Sequence, residues 1–231
     1  MSAVAAQSAL HRTLQFWQAT VGKKYVMALT GAVLFGFVLI HMLGNLQVFL
    51  GAEKLNAYGA LLKANAGVLW GARLILLANV TLHMTAAFQL WSLKNKARPN
   101  AYAVTRSTTS SFASRTMYLT GPGLLFFLIY HLTHLTTGQT HPDFAQEDVY
   151  RNVILGFRQP VAFVTYLLAM GFLGFHLVHG VWSMFQSAGL NHPKYMPKIR
   201  LLATLATGLV VGGNITIPVA VITRLIGANI Q

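Results

Sequence analysis

An all-α integral membrane protein with five transmembrane helices is the fold class this sequence predicts, and three observations predict it. Only 9% of the 231 residues are charged and 55% are hydrophobic, against about 25% charged in ordinary soluble domains. Five apolar stretches, residues 26–50, 67–93, 117–137, 160–186 and 201–226, each reach the ~20 residues needed to cross a hydrocarbon core as a helix. No linker or low-complexity segment divides them, so residues 1–231 read as one membrane domain.

The first stretch, Val26–Leu50, is flanked by Lys23 and Lys24 and has no small-residue cleavage site after it, which argues against a removable signal. Ahead of it, Leu10–Ala19 has the pattern of an amphipathic helix lying on the membrane surface. The second, Gly67–Leu93, stops at Lys94. The third, Met117–Thr137, and the fourth, Pro160–Gln186, carry two histidines each. The fifth, Leu201–Ile226, has none and is rich in Gly208, Gly212 and Gly213, a spacing that allows close helix contact. Trp17, Trp70, Trp91 and Trp182 fit an interfacial aromatic belt.

Net charge is +13, yet its distribution points to membrane orientation rather than nucleic acid. Eleven basic residues fall on one side: Arg12, Lys23, Lys24, Lys94, Lys96, Arg98, Arg106, Arg115, Lys194, Lys198 and Arg200. The other side holds Lys54, Lys63, Arg151, Arg158 and Arg224 with all four acids, Glu53, Asp143, Glu147 and Asp148. The positive-inside rule therefore puts the N-terminus in the cytoplasm and the C-terminus outside. The absence of cysteine excludes disulfides, thiolate-bound haem, iron–sulfur ligation and thiol catalysis within this chain.

Four histidines, one on each of the first four spans, carry the chemistry: His41, His83, His131 and His176. Ionisable side chains at bilayer depth are costly and mark function, and neutral imidazole is an axial ligand of haem iron. Each residue lies just past the middle of its span, and the spans alternate in direction. His41 and His131 thus share an outer level and His83 and His176 an inner one, ~10 Å apart by the helical rise. Each level supplies both axial ligands of one haem, so two stacked haems are expected inside a four-helix bundle, with the fifth helix peripheral.

His134 and His179 lie three residues beyond His131 and His176 and share their helix faces. An internal repeat selects between the first two. At a constant offset of ninety, Met27, Leu29, Thr30, Gly31, Leu34 and His41 align with Met117, Leu119, Thr120, Gly121, Leu124 and His131. Depth alone favours His176 over His179, which precedes the polar end of its span by too short an interval.

The segments FLIYHLTHLT, GFHLVHGVWSMFQSAGLNH and LIHMLGNLQVF resemble the dihaem cytochrome b membrane subunit of succinate:quinone oxidoreductases and quinol:fumarate reductases, over about residues 20 to 230. By position, the family's ligands fall on His41, His83, His131 and His176, paired as the depth argument pairs them. The resemblance implies two b haems, quinone as electron partner, and a bacterial cytoplasmic membrane as location. It also implies two cytoplasmic subunits, a flavoprotein with FAD and an iron–sulfur protein. The glutamate that some fumarate reductases carry two residues before the fourth ligand is Gly174 here, which favours succinate oxidation.

Around these levels, Asn45, Gln47, His134 and Thr137 could reach outer propionates, as could Arg73. Thr30, Ser114, Arg115, Tyr118, His179 and Ser183 could line an inner quinone pocket or hold the inner haem. Two other functions fit parts of the pattern: the haem b subunit of a formate dehydrogenase or hydrogenase, and a histidine-relay transporter. The five-helix single chain disfavours the first, and the lack of any acid in a span disfavours the second.

Overall fold

The helices outrun their apolar stretches at some ends and stop short at others, for local reasons. The computed structural model describes residues 11–12, 15–97 and 110–230. The expected surface helix Leu10–Ala19 lies partly outside these, with residues 15–18 helical, and Arg98 and Arg106 lie outside altogether. The elements are α1 (Thr20–Asn45), a 3-10 turn (Leu46–Leu50), α2 (Ala52–Lys63), α3 (Ala66–Lys96), α4 (Phe112–Arg115), α5 (Met117–Leu135), α6 (Val149–Arg158), α7 (Pro160–Ser187) and α8 (Met196–Ile222).

α1 begins six residues before its apolar stretch because Lys23 is buried by its own contacts, donating to the carbonyls of Trp17 (2.7 Å) and Gln18 (2.8 Å). The apolar run there ends before the helix does. α3 is capped by Asn65, whose side chain accepts from Val68 N–H at 3.0 Å. α7 opens on Pro160, where a missing N–H costs nothing. It closes at Gly189, φ +85°, with Leu190 N–H bonding back to Phe185 O at 3.0 Å. α8 stops at Ile222 rather than Ile226: Arg224 turns left-handed (φ 59°), and the N–H groups of Leu225 and Ile226 both return to Ala220 O.

Among the described residues, four helices are long and apolar enough to span a membrane: Thr20–Leu50, Ala66–Lys96, Pro160–Ser187 and Met196–Ile222. α5 has 19 residues, ~28 Å at the helical rise, and so also matches the hydrocarbon thickness. Its hydropathy is lowered by Thr120, Pro122, Tyr130, His131 and His134, and two of these, Thr120 and His134, are buried. The chain is an all-helical membrane bundle in which α3 packs on α1, α1 on α7, and α7 on α5. This order sets α1 across from α5 and α3 across from α7. α8 lies against α1 and α7 from outside the bundle, in the peripheral place expected for the fifth helix. The α1–α7–α8 seam holds Met42, Leu177, Val181, Ala203 and Val210.

α2 and α6, helices with no counterpart among the five expected spans, cap one end of the bundle. Their cluster comprises Val48, Leu55, Val153, Ile154, Phe157, Tyr166, Ile217 and Val221. Asn56 joins them twice, donating to Asp148 Oδ1 and accepting from Tyr150 N–H, both at 2.9 Å. Asn56→Ala leaves that N–H unpaired and should cost ~1–3 kcal/mol, read as a lowered melting temperature of the detergent-solubilised protein. All four acids sit at this end, on α2 and the segment leading into α6. The guanidinium of Arg151 bonds Asp143 and holds its carboxyl below the usual carboxylate range. What this exposed pair adds to the cap is present above the ordinary carboxylate pKa and fades as pH falls through the depressed one.

Candidate functional site

The two expected histidine pairs meet across the two diagonals of the bundle. His83 of α3 and His176 of α7 stand with ring centres 6.3 Å apart. His41 of α1 and His131 of α5 stand 5.7 Å apart with rings perpendicular at 88°. No two of these four are neighbours in sequence; each pair exists only because antiparallel helices return its second member to the same depth.

At the inner level each imidazole leans on a threonine from the adjacent helix. Thr30 Oγ1 lies 3.1 Å from His83 Nδ1 and also bonds the carbonyls of Val26 (2.7 Å) and Met27 (3.2 Å). Thr120 Oγ1 lies 3.4 Å from His176 Nδ1. Thr30 and Thr120 are the repeat-related pair, so the repeat carries a clamp as well as a histidine. A Cβ on Gly31 would stand 3.3 Å from His83 Cε1, whereas one on its repeat mate Gly121 would meet nothing within 4 Å. Thr30 and His41 are eleven residues apart on α1, ~16 Å of helix. The two levels are therefore about three turns apart at the backbone, wider than the span midpoints suggest.

The outer level is tied to the cap. Tyr166 of α7 places its hydroxyl 3.0 Å from His131 Nδ1 and 3.2 Å from His134 Nδ1. His134 is 1% exposed, stacks on Tyr130 at 5.4 Å and lies 5.2 Å from His141, and its Nε2 is buried without a partner. His141 Nε2 donates to Asn152 O at 2.8 Å, and its Nδ1 accepts from Asp143 N–H. His41 stacks on Phe37 at 5.3 Å and makes no hydrogen bond among the described residues.

The donor set fits a bis-imidazole iron site at each level. Two imidazoles bonded to one metal through nitrogens at ~2 Å have ring centres ~6 Å apart, close to both observed separations. Nδ1 of His83, His131 and His176 is occupied by a hydroxyl, which leaves Nε2 free to ligate, an arrangement in which the second nitrogen would orient the ring. Among the described residues no three histidines or carboxylates cluster as a bare-metal site. His134 and His179 are placed differently: the first faces the cap, and the second lies edge-on to Trp182 at 5.2 Å with a buried, unpartnered Nδ1.

The remaining expected residues scatter. Arg73 is exposed and its guanidinium sits 5.0 Å over the Trp70 ring. Asn45 and Gln47 are half-buried where α1 passes into the 3-10 turn. Ser114 bonds Ser111 O, and Arg115 reaches Ser110 O at 2.8 Å, both on α4. Tyr118 is 70% exposed, and Ser183 is half-buried on α7. Sequence reasoning missed Tyr166, Thr120, His141 and Asn152 as supports. Thr120 could have been found from the repeat that flagged Thr30; a tyrosine in an apolar helix carries no such signal.

Residues 92–215, more than half of the chain, match the family model described as succinate dehydrogenase/fumarate reductase transmembrane subunit. The match takes in His131 and His176, while His41 and His83 precede it. No curated protein and no solved structure matches the chain.

Proposed function

Because this chain belongs to the succinate dehydrogenase/fumarate reductase transmembrane subunit family, we propose that it is a dihaem cytochrome b subunit anchoring a flavoprotein and an iron–sulfur protein to the membrane. The observation that carries this reading is the pairing of four histidines across both bundle diagonals, at separations suited to axial ligation. On this reading His41 and His131 hold one b haem and His83 and His176 the other, and each bound haem supplies a one-electron carrier between the partners and membrane quinone.

The protein's own part is positional. Thr30 and Thr120 orient the inner pair and Tyr166 orients one member of the outer pair. The α2–α6 cap covers the outer end. Iron–sulfur clusters belong to a partner, since the chain has no cysteine to ligate them, and FAD belongs to the flavoprotein partner. The partners dock at the end opposite the four acids, where the basic residues concentrate and the N-terminus lies in the cytoplasm. Quinone is placed at that same inner end near Ser114, Arg115, Tyr118 and Ser183, with the hydroxyl of Thr30 engaged by His83. Gly174 leaves no acid beside His176, consistent with succinate oxidation as the working direction.

A visible spectrum of the protein purified with its partners tests the reading. Reduced b-type bands equivalent to two haems per chain are expected, with flavin and iron–sulfur signals in the same preparation. A stable preparation lacking b-type bands overturns it. For the orientation, a reporter fused after Gln231 should be active only outside the cytoplasm; activity inside reverses the assignment of levels.

A further inference from the structure

We propose that three hydroxyl groups, those of Thr30, Thr120 and Tyr166, are positioning residues that fix the tautomers of the histidines and set the two haem potentials separately. The inference rests on the reading of the histidine pairs as ligand pairs.

At the inner level we read the direction from the shortest contact. Thr30 has one hydroxyl hydrogen, and its shortest contact is to the Val26 carbonyl at 2.7 Å, an obligate acceptor. Its oxygen is then left to accept, so His83 Nδ1, at 3.1 Å, carries the hydrogen and donates it. Nε2 of His83 is consequently the unprotonated nitrogen, on a ring whose centre lies 6.3 Å from that of His176. Thr120 makes a longer contact of 3.4 Å with His176 Nδ1, and Met117 Sδ, 3.9 Å away, is a second acceptor for its hydrogen. On our assignment both members of the inner pair are Nδ1–H donors to threonines on helices other than their own.

At the outer level one phenol serves two histidines. With His131 ligating through Nε2, its Nδ1–H donates to Tyr166 at 3.0 Å, and the tyrosine hydrogen passes to His134 Nδ1 at 3.2 Å. His134 is left as its Nε2–H tautomer, with that buried nitrogen unpartnered among the described residues. His41 has no such support among the described residues, so this level rests on one supported ligand where the inner level has two.

A hydrogen bond accepted from Nδ1–H makes the imidazole a stronger donor to iron and stabilises the oxidised metal. Removing the acceptor should raise the potential of that haem alone. The experiment is a redox titration of the complex with its partner subunits, followed by absorbance and low-temperature paramagnetic resonance. Thr30→Val is expected to move one component upward and leave the other in place. Thr120→Val should move the same component by less, in keeping with its longer contact. Tyr166→Phe should move only the other component, with altered resonance positions for that haem. Thr30→Ser, which keeps the hydroxyl, is expected to return the parent potential even if Thr30→Val holds its haem poorly.

The proposal is overturned if the three substitutions shift the same component, if both components move together, or if Thr30→Ser shifts as far as Thr30→Val. Unmoved potentials in variants that retain both haems also overturn it. Failure of the ligand reading itself looks different, because the parent protein would then lack b-type bands.

Discussion

With the proposed ligation, replacing His176 with alanine should remove one of two haem components and spare the other. The inner iron is left with the single imidazole of His83, 6.3 Å from the lost ring, and should be lost or converted to high spin. The outer ligands stand on α1 and α5, about three helical turns away (~16 Å), and share no hydrogen bond with the inner set. His83→Ala should delete the same component as His176→Ala, and His41→Ala and His131→Ala should both delete the other. Inner variants should also lose most turnover with quinone if electrons enter from the cytoplasmic subunits. His134→Ala opens a cavity in the cap, at ~2–3 kcal/mol of stability by analogy with other buried large-to-small changes, yet removes no ligand; both haems should remain. His179→Ala should likewise keep both. Loss of a haem in His134→Ala together with its retention in His131→Ala reverses the choice between those neighbours. Loss of the same component in all four ligand variants ends the two-level description.

Gly156→Val should collapse the outer cap while leaving the inner level alone. A Cβ at this position would meet His134 Cε1 at 2.9 Å, His134 Nε2 at 3.0 Å and His141 Nε2 at 3.1 Å. Neither ring can retreat cheaply. His134 is held between Tyr130 and Tyr166, and His141 is bonded at both nitrogens. Overpacking of this kind costs ~1–3 kcal/mol, and here it also strains the phenol shared with His131. A lower melting temperature in detergent with a perturbed outer haem signal is expected. An unchanged melting curve would mean that α6 can shift away from the histidines.

Four membrane-capable helices were legible because each is a long apolar run, α5 as a shorter helix between polar ends, and the facing histidine pairs because alternating helix direction converts sequence position into depth. The ends were less legible. α1 starts ahead of its apolar stretch through the carbonyl contacts of Lys23, and α8 ends early at the left-handed Arg224. Neither signal is compositional. The cap helices α2 and α6 escaped notice for a related reason: both lie in connections of mixed polarity and are held by side-chain bonds such as Asn56–Asp148 that join residues far apart in the chain. The repeat was visible as M-x-L-T-G, but the meaning of its threonine was not. Thr30 pairs with His83 and Thr120 with His176 only after α3 and α7 fold back.

The diagonal pairing has a consequence for biogenesis. With the proposed ligation, each haem takes one histidine from the first half of the chain and one from the second: His41 with His131, His83 with His176. A nascent chain that has inserted α1 and α3 possesses two histidines on adjacent helices and no complete pair. Even after α5 enters, the inner site still lacks His176. Cofactor capture at the inner level thus waits for the fourth span to leave the translocon, and a polypeptide truncated after residue 97 should integrate into the bilayer yet acquire no six-coordinate haem.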